Sequence, residues 1–169
     1  MIQDRRISFR FAIGFVLSFI YLAAPAWADF QAGTDAYQRR DYPTALKEWR
    51  PLAEQGNAVA QSNLGLLYQN GRGVPQDYVQ ARQWFEKAAV QRDAKAQHSL
   101  GLLYAKGQGV SQDFVQAYMW YSLAIANGEK EGAIIRDALV KRMTPAQIAE
   151  AQKRAREWKP KTNAQRPTP

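Results

Sequence analysis

Few side chains in this sequence could do covalent chemistry, and their spacing limits what they could do. His98 is the only histidine among 169 residues, and there is no cysteine at all. Thiolate catalysis, disulfides, cysteine-held zinc and a lipidated N-terminal cysteine are therefore excluded. An imidazole acting as a base needs a nucleophile or a metal co-ligand beside it, and the sequence around His98 offers neither. His98 falls about 120° from the apolar stripe of its own segment, which places it on a surface. Asp77 and Asp113 could form a carboxylate pair for acid–base work. They lie 36 residues apart at equivalent places in a duplicated segment, however, where an aspartate caps a helix. Ser62 and Ser99 are the serines near His98, and neither has a base visible in sequence. The Gly71-x-Gly73 and Gly107-x-Gly109 pairs lack the third glycine and the preceding strand that a nucleotide loop requires. No cofactor, metal or nucleotide is implied.

The elements that would position these residues come from a repeat. Ala58 to Asp93 aligns without a gap on Ala94 to Glu129, with 18 of 36 positions identical. Unrelated segments would share about two. A period of this size marks a stacked-repeat architecture, all helical, in which each unit buries its face on the next. In the first helix of a unit, Ala60, Leu64, Leu67 and Tyr68 share one face. Gly65 and Gly101 lie beside that stripe, and since a mid-helix glycine costs about 1 kcal/mol relative to alanine, their recurrence predicts a close helix approach. Gly71 and Gly107 end the first helices at the position that favours a left-handed residue. The second helices bury Ala81, Trp84, Phe85 and Ala88, and in the next unit Ala117, Trp120, Tyr121 and Ala124. The recurring aromatics read as core rather than as a ligand-stacking platform, with the Tyr68 and Tyr104 hydroxyls reaching turn backbone.

These residues form the pattern A-x-A-Q-x-x-L-G-x-x-Y-x-x-G-x-G-V-x-x-D-x-x-x-A-x-x-W-[FY]-x-x-A, which resembles the Sel1-like repeat, a relative of the tetratricopeptide repeat. The resemblance covers two full copies, at residues 58–93 and 94–129, with half-repeats at the flanks. It implies an α/α solenoid whose first helices line a concave surface used for protein–protein interaction. Some cysteine-rich secreted members of that family are associated with binding or hydrolysing β-lactams. This chain lacks their paired cysteines.

The flanks complete the organisation. Residues 1–28 read as a signal peptide, with Arg5, Arg6 and Arg10 before the apolar run Phe11 to Leu22 and small residues at Ala26-Trp27-Ala28. Cleavage after Ala28 would make the protein periplasmic or secreted; retention of the segment would make it a membrane-tethered adaptor. Residues 29–57 form a degenerate N-terminal half-repeat or cap in which Asp41, Tyr42, Ala45, Trp49 and Ala53 match the second helix of a unit, without the glycine turn. Residues 130–158 supply C-terminal capping helices: first a stripe of Ile135, Ala138 and Leu139, then a helix from Pro145 to about Trp158. Thr144 and Gln147 make a capping box for it, and Met143 and Ile148 a hydrophobic staple. Residues 159–169 hold three prolines and no apolar run, the composition of a disordered basic tail.

Residues 29–140 hold twelve basic and twelve acidic side chains, whereas 141–169 hold eight and two. Export together with a repeat body of no net charge argues against nucleic acid as a partner. The basic end, with Lys153, Arg154, Arg156, Lys159, Lys161 and Arg166, is either a solvated face or a weak contact for an anionic surface or acidic partner. The binding surface follows by subtraction. Away from the apolar stripe, the first helices carry Gln61, Leu66, Gln69, Gln97, His98 and Leu102, a groove for another protein or a peptide segment. Leu66 and Leu102 are its apolar anchors, unless they pack on neighbouring helices. The function expected is a non-enzymatic scaffold; the alternative is a cell-wall-directed or β-lactam hydrolase.

Overall fold

Short polar residues start nearly every helix in the computed structural model, which describes residues 29–160. The signal-peptide expectation and the tail beyond residue 160 lie outside that range. After a helix α1 over residues 29–38, the chain forms α2 (Tyr42–Glu54), α3 (Ala58–Asn70), α4 (Tyr78–Ala89), α5 (Ala94–Lys106), α6 (Phe114–Ala126), α7 (Gly132–Val140) and α8 (Pro145–Glu157). Asp41, Asp77 and Asp113 accept backbone N–H bonds at the starts of α2, α4 and α6, and Asn57 and Asp93 do so for α3 and α5. Asp77 and Asp113 are thus structural caps, each stabilising its helix by about 1 kcal/mol. The described residues contain no strand, and the helices form the α/α solenoid that the repeat predicts.

The turn inside each unit uses both glycines. Gly71 and Gly107 close α3 and α5 at φ +63° and +69°, where a side chain would be strained. The backbone carbonyls of Tyr68 and Tyr104, not their hydroxyls, then accept the N–H groups of Asp77 and Asp113, each at 3.0 Å. The Tyr68 hydroxyl accepts instead from the Arg50 guanidinium at 3.0 Å. Gly73 and Gly109 pack against the start of the preceding unit's second helix. A Cβ on Gly73 would come within 2.7 Å of the Tyr42 carbonyl carbon, and one on Gly109 would strike Tyr78. Each loop thus rests on the unit before it.

Within a unit, the first helix meets the second through a glycine lying under an aromatic ring. Gly65 in α3 lies against Phe85 of α4, and Gly101 in α5 against Tyr121 of α6, where an added Cβ would sit 2.9 Å from ring carbons. Phe85 and Tyr121 are fully buried, and burial of each ring is worth about 1.5–3 kcal/mol. The same arrangement occurs in the degenerate first unit, where Gly33 of α1 lies under Trp49 of α2, 2.5 Å from an added Cβ to the indole Nε1. Eight residues separate Gly33 from the cap Asp41, against twelve in the full units. The N-terminal segment is therefore a repeat with its turn shortened by four residues, and Arg40 at φ +64° takes the left-handed position.

The core runs along the stack as three linked clusters. One joins Ala36, Trp49 and Leu52 to Leu64, Leu67 and Trp84. The next joins Phe85 and Ala88 to Leu100, Leu103, Met119 and Trp120. The last packs Tyr118 and Tyr121 against Leu139, Met143 and Ala151. Of the recurring aromatics, Trp84, Phe85, Trp120 and Tyr121 are buried in the core, while Tyr68, Tyr78, Tyr104 and Phe114 are half-buried against its edges. The helix α8 has the full capping box of Thr144 and Gln147, and it lies across α6 with Trp158 edge-on to Trp120 at 6.2 Å between centroids. In α7, Leu139 is buried and Ile135 half-buried, but Ala138 faces solvent.

Replacing Gly101 by Ala should destabilise the protein by about 1–3 kcal/mol, because the fully buried ring has no room to yield. Tyr121→Phe should not, since Phe85 fills the equivalent place and the Tyr121 hydroxyl is buried without a hydrogen-bond partner. Burial pushes Tyr121 from 10.0 up to about 12. The folded state therefore holds a proton that the unfolded chain has lost, so stability falls as pH rises through that window. Urea titrations between pH 9 and about 11.5 should show a shallower decline in Tyr121→Phe than in the parent.

Candidate functional site

The solvent-facing side of α3 and α5 is built from residues three or four apart. On α3 the row is Val59, Asn63, Leu66, Gln69 and Asn70; on α5 it is Lys95, His98, Leu102, Ala105 and Lys106. Val59, Asn70, Lys95 and Lys106 are exposed, and the rest are half-buried. Leu66 packs part of its surface on the core cluster that joins α4, α5 and α6. Leu102, 36 residues on, is half-buried in the same register. Leu66 is therefore both a packing residue and a partly open one.

Two of the six sequence candidates do not belong to this face. Gln61 and Gln97 are buried, Gln97 completely. The Gln61 amide donates to the Ala53 carbonyl at 2.9 Å and accepts from Gln91 at 2.8 Å. One repeat on, Gln97 donates to the Ala89 carbonyl at 3.0 Å and accepts from Asn127 at 2.9 Å. Each glutamine thus ties the last turn of the preceding unit's second helix to the end of its own unit's second helix. A buried amide so satisfied is closed to a ligand and costly to disturb. Helical periodicity could not reveal this, because the partners are backbone carbonyls at the far end of another helix.

His98 is not a plain surface histidine. Its ring stands edge-on to Tyr121 with centroids 5.2 Å apart, and its Nδ1 is buried without a partner. Gly132, the first residue of α7, fits over both, and a Cβ there would be 3.4 Å from Nδ1. The equivalent pair one unit earlier is Ser62 and Ala96. A larger residue on α5 is thus matched by a smaller one on the following helix. Ser62 is itself buried with its hydroxyl unpartnered, so no base activates it. Gln69 is half-buried; its backbone carbonyl accepts from the Gln76 amide, as Ala105 accepts from Gln112, each at 2.8 Å.

The face therefore offers half-buried leucines, amides and cations rather than a reacting group. Lys95 and Lys106, at the two ends of α5, were missed by sequence reasoning, which took the middle of each first helix; Val59 and Asn70 stand in the matching places of α3. At the other end of the molecule, Lys153, Arg154, Arg156 and Lys159 are exposed on and after α8, and Arg154 is paired with Glu150 at 2.7 Å. No described helix is long and apolar enough to cross a membrane.

Comparison with known proteins follows the repeat. Residues 58–91 and 94–129 match the Sel1 repeat family model. Among solved structures, the chain is similar to a protective antigen present in uropathogenic Escherichia coli strains that displays an SLR fold. That match has 32% identity and a TM-score of 0.74, and it covers 78% of this chain and 29% of the antigen. The chain is also similar to a Sel1 repeat protein from Oxalobacter formigenes, with 32% identity and a TM-score of 0.63, covering 76% of this chain and 55% of that protein. The chain thus spans about a third and about half of these two relatives. None of the curated proteins matches its sequence.

Gln97→Leu should cost about 0.5–1.5 kcal/mol, because the Ala89 carbonyl and the half-buried Asn127 amide each lose one bond and keep one, from the Arg92 N–H and to the Leu123 carbonyl. Gln61→Leu should cost less, since Gln91 is exposed and can turn to water. Urea unfolding of the two variants beside the parent measures the difference.

Proposed function

We propose that this Sel1-like repeat protein is an exported, non-enzymatic scaffold that takes a segment of another protein on the open side of α3 and α5, a reading supported by its Sel1 repeats and by the SLR fold of its structural neighbours. The observation that carries the placement is the repeated half-buried leucine. Leu66 and Leu102 occupy the same register in successive helices, each partly open among neighbours that are amide, cationic or small. A purely solvated face has no need of leucine at both places, and apolar anchors ringed by polar groups are what a peptide-binding groove requires. Gln69 and His98 border the anchors. Exposed Val59, 49% accessible, extends the apolar strip at one end.

Export rests on the basic, apolar and small-residue order of the first 28 residues. Mass spectrometry of the protein recovered from its host should find Asp29 at the N-terminus; an intact Met1 form would make it a tethered adaptor instead.

The groove is tested by crosslinking from the exported protein in its own compartment, with Leu102→Glu and Val59→Glu variants checked for unchanged helicity. Both side chains are accessible enough to be replaced without opening the core. A defined partner should appear with the parent, and its yield should fall by about tenfold or more with Leu102→Glu, as expected when a central anchor of an interface is removed. A partner captured equally by all three proteins would place binding elsewhere.

A further inference from the structure

We infer that the α3–α5 face selects acidic partner segments, specifically a segment that presents an apolar side chain between two carboxylates. This rests on the groove reading above and adds the partner's chemistry.

The charge pattern of the face carries the inference. The helix α3 has no charged residue, and α5 has only Lys95, Lys106 and the titratable His98. The repeat body as a whole is balanced in charge, and neither α3 nor α5 carries a carboxylate to offset the two lysines on this face. Asp93, which precedes α5, is committed to capping the Ala96 N–H at 2.8 Å. Neither lysine lies within ion-pair distance of a carboxylate among the described residues.

The position of Lys95 is the second observation. It is the second residue of α5, where the helix dipole favours an acid and disfavours a cation. The equivalent residue of α3 is Val59. A lysine there works against its own helix, and it aligns with Leu102 and Lys106 on one exposed row. Lys106, in the last turn of α5, is favoured by the dipole and needs no such account.

The geometry fixes the ligand's spacing. Eleven residues of helix separate Lys95 from Lys106, about 16 Å along the axis. Leu102 lies between them, and Leu66 lies in the same register on α3. An extended segment covers that length in about five residues, so carboxylates near its ends reach the two ammonium groups while a central apolar side chain meets the leucines. Lysines on flexible stems tolerate some variation in that spacing. Acidic segments would also be steered to this face before docking, an effect that salt weakens.

The probe is a phage-displayed library of random 12-residue peptides, selected on the folded protein and on two variants, Lys95→Glu/Lys106→Glu and Leu102→Glu. Both lysines are exposed, so their reversal leaves the core intact. The parent should enrich peptides with Asp or Glu on both sides of an apolar residue. Those peptides should bind the charge-reversed variant at least about tenfold more weakly, and that variant should itself enrich Lys or Arg in the flanks. Binding to the parent should weaken as salt is raised. Neutral or basic peptides that require Leu102 would overturn the acidic preference and leave the groove in place. Acidic peptides that ignore Leu102, or no enrichment at all, would overturn the groove reading with it.

Discussion

A glycine beneath an aromatic ring sets the distance between the two helices of every unit from α1 to α6, and the other interactions are built at that distance. Gly33 lies under Trp49, Gly65 under Phe85 and Gly101 under Tyr121, each too close for a Cβ. Close approach lets one large ring bury almost completely between helices lined with alanine. It also fixes which way each first helix turns, and hence which of its residues remain outside. The glycine gives up helix propensity, a small loss beside the burial of a whole ring.

Stacking of units depends on a different interaction, the buried glutamine. Gln61 and Gln97 each hold the last turn of the preceding unit and the end of their own, so register is transmitted from one unit to the next by directional bonds inside an apolar seam. The loop glycines Gly73 and Gly109 add a steric check at the opposite edge. With core packing on one side and these two devices at the edges, the exposed ends of the α3 and α5 row, Val59, Asn70, Lys95 and Lys106, take little part in holding the fold. They are free to vary between copies. Val59 and Asn70 of α3 stand where α5 has Lys95 and Lys106, while Leu64, Gly65 and Leu67 beneath recur as Leu100, Gly101 and Leu103.

Most of the framework is legible in sequence because it repeats. Exact recurrence of Gly65 and Gly101, of the two loop glycines and of the capping aspartates points directly to close approach, left-handed turns and helix starts, and the capping box of α8 is as local as a signal can be. Residues whose role depends on a distant partner are not legible. Gln61 and Gln97 read as solvent-facing because helical periodicity knows only their own helix, and their acceptors lie eight residues back across a turn. His98 reads as exposed because the glycine that covers it, Gly132, belongs to a helix too short and too divergent to align. The first unit's glycine is hidden by a four-residue deletion in the turn, which moves Gly33 out of the 36-residue register. The lysines of the open face stand at the two ends of α5, outside the middle turns from which the apolar stripe was subtracted.

The proposed docking face for a partner segment is the open side of α3 and α5. The most direct measurement is photo-crosslinking in the native compartment from a reactive residue placed either at Leu102 or at Gln83, an exposed position of α4. Both variants should fold with the parent's helicity. The account predicts a discrete crosslinked partner from position 102 and none from position 83. A partner captured from position 83 alone, or equally from both, would contradict it.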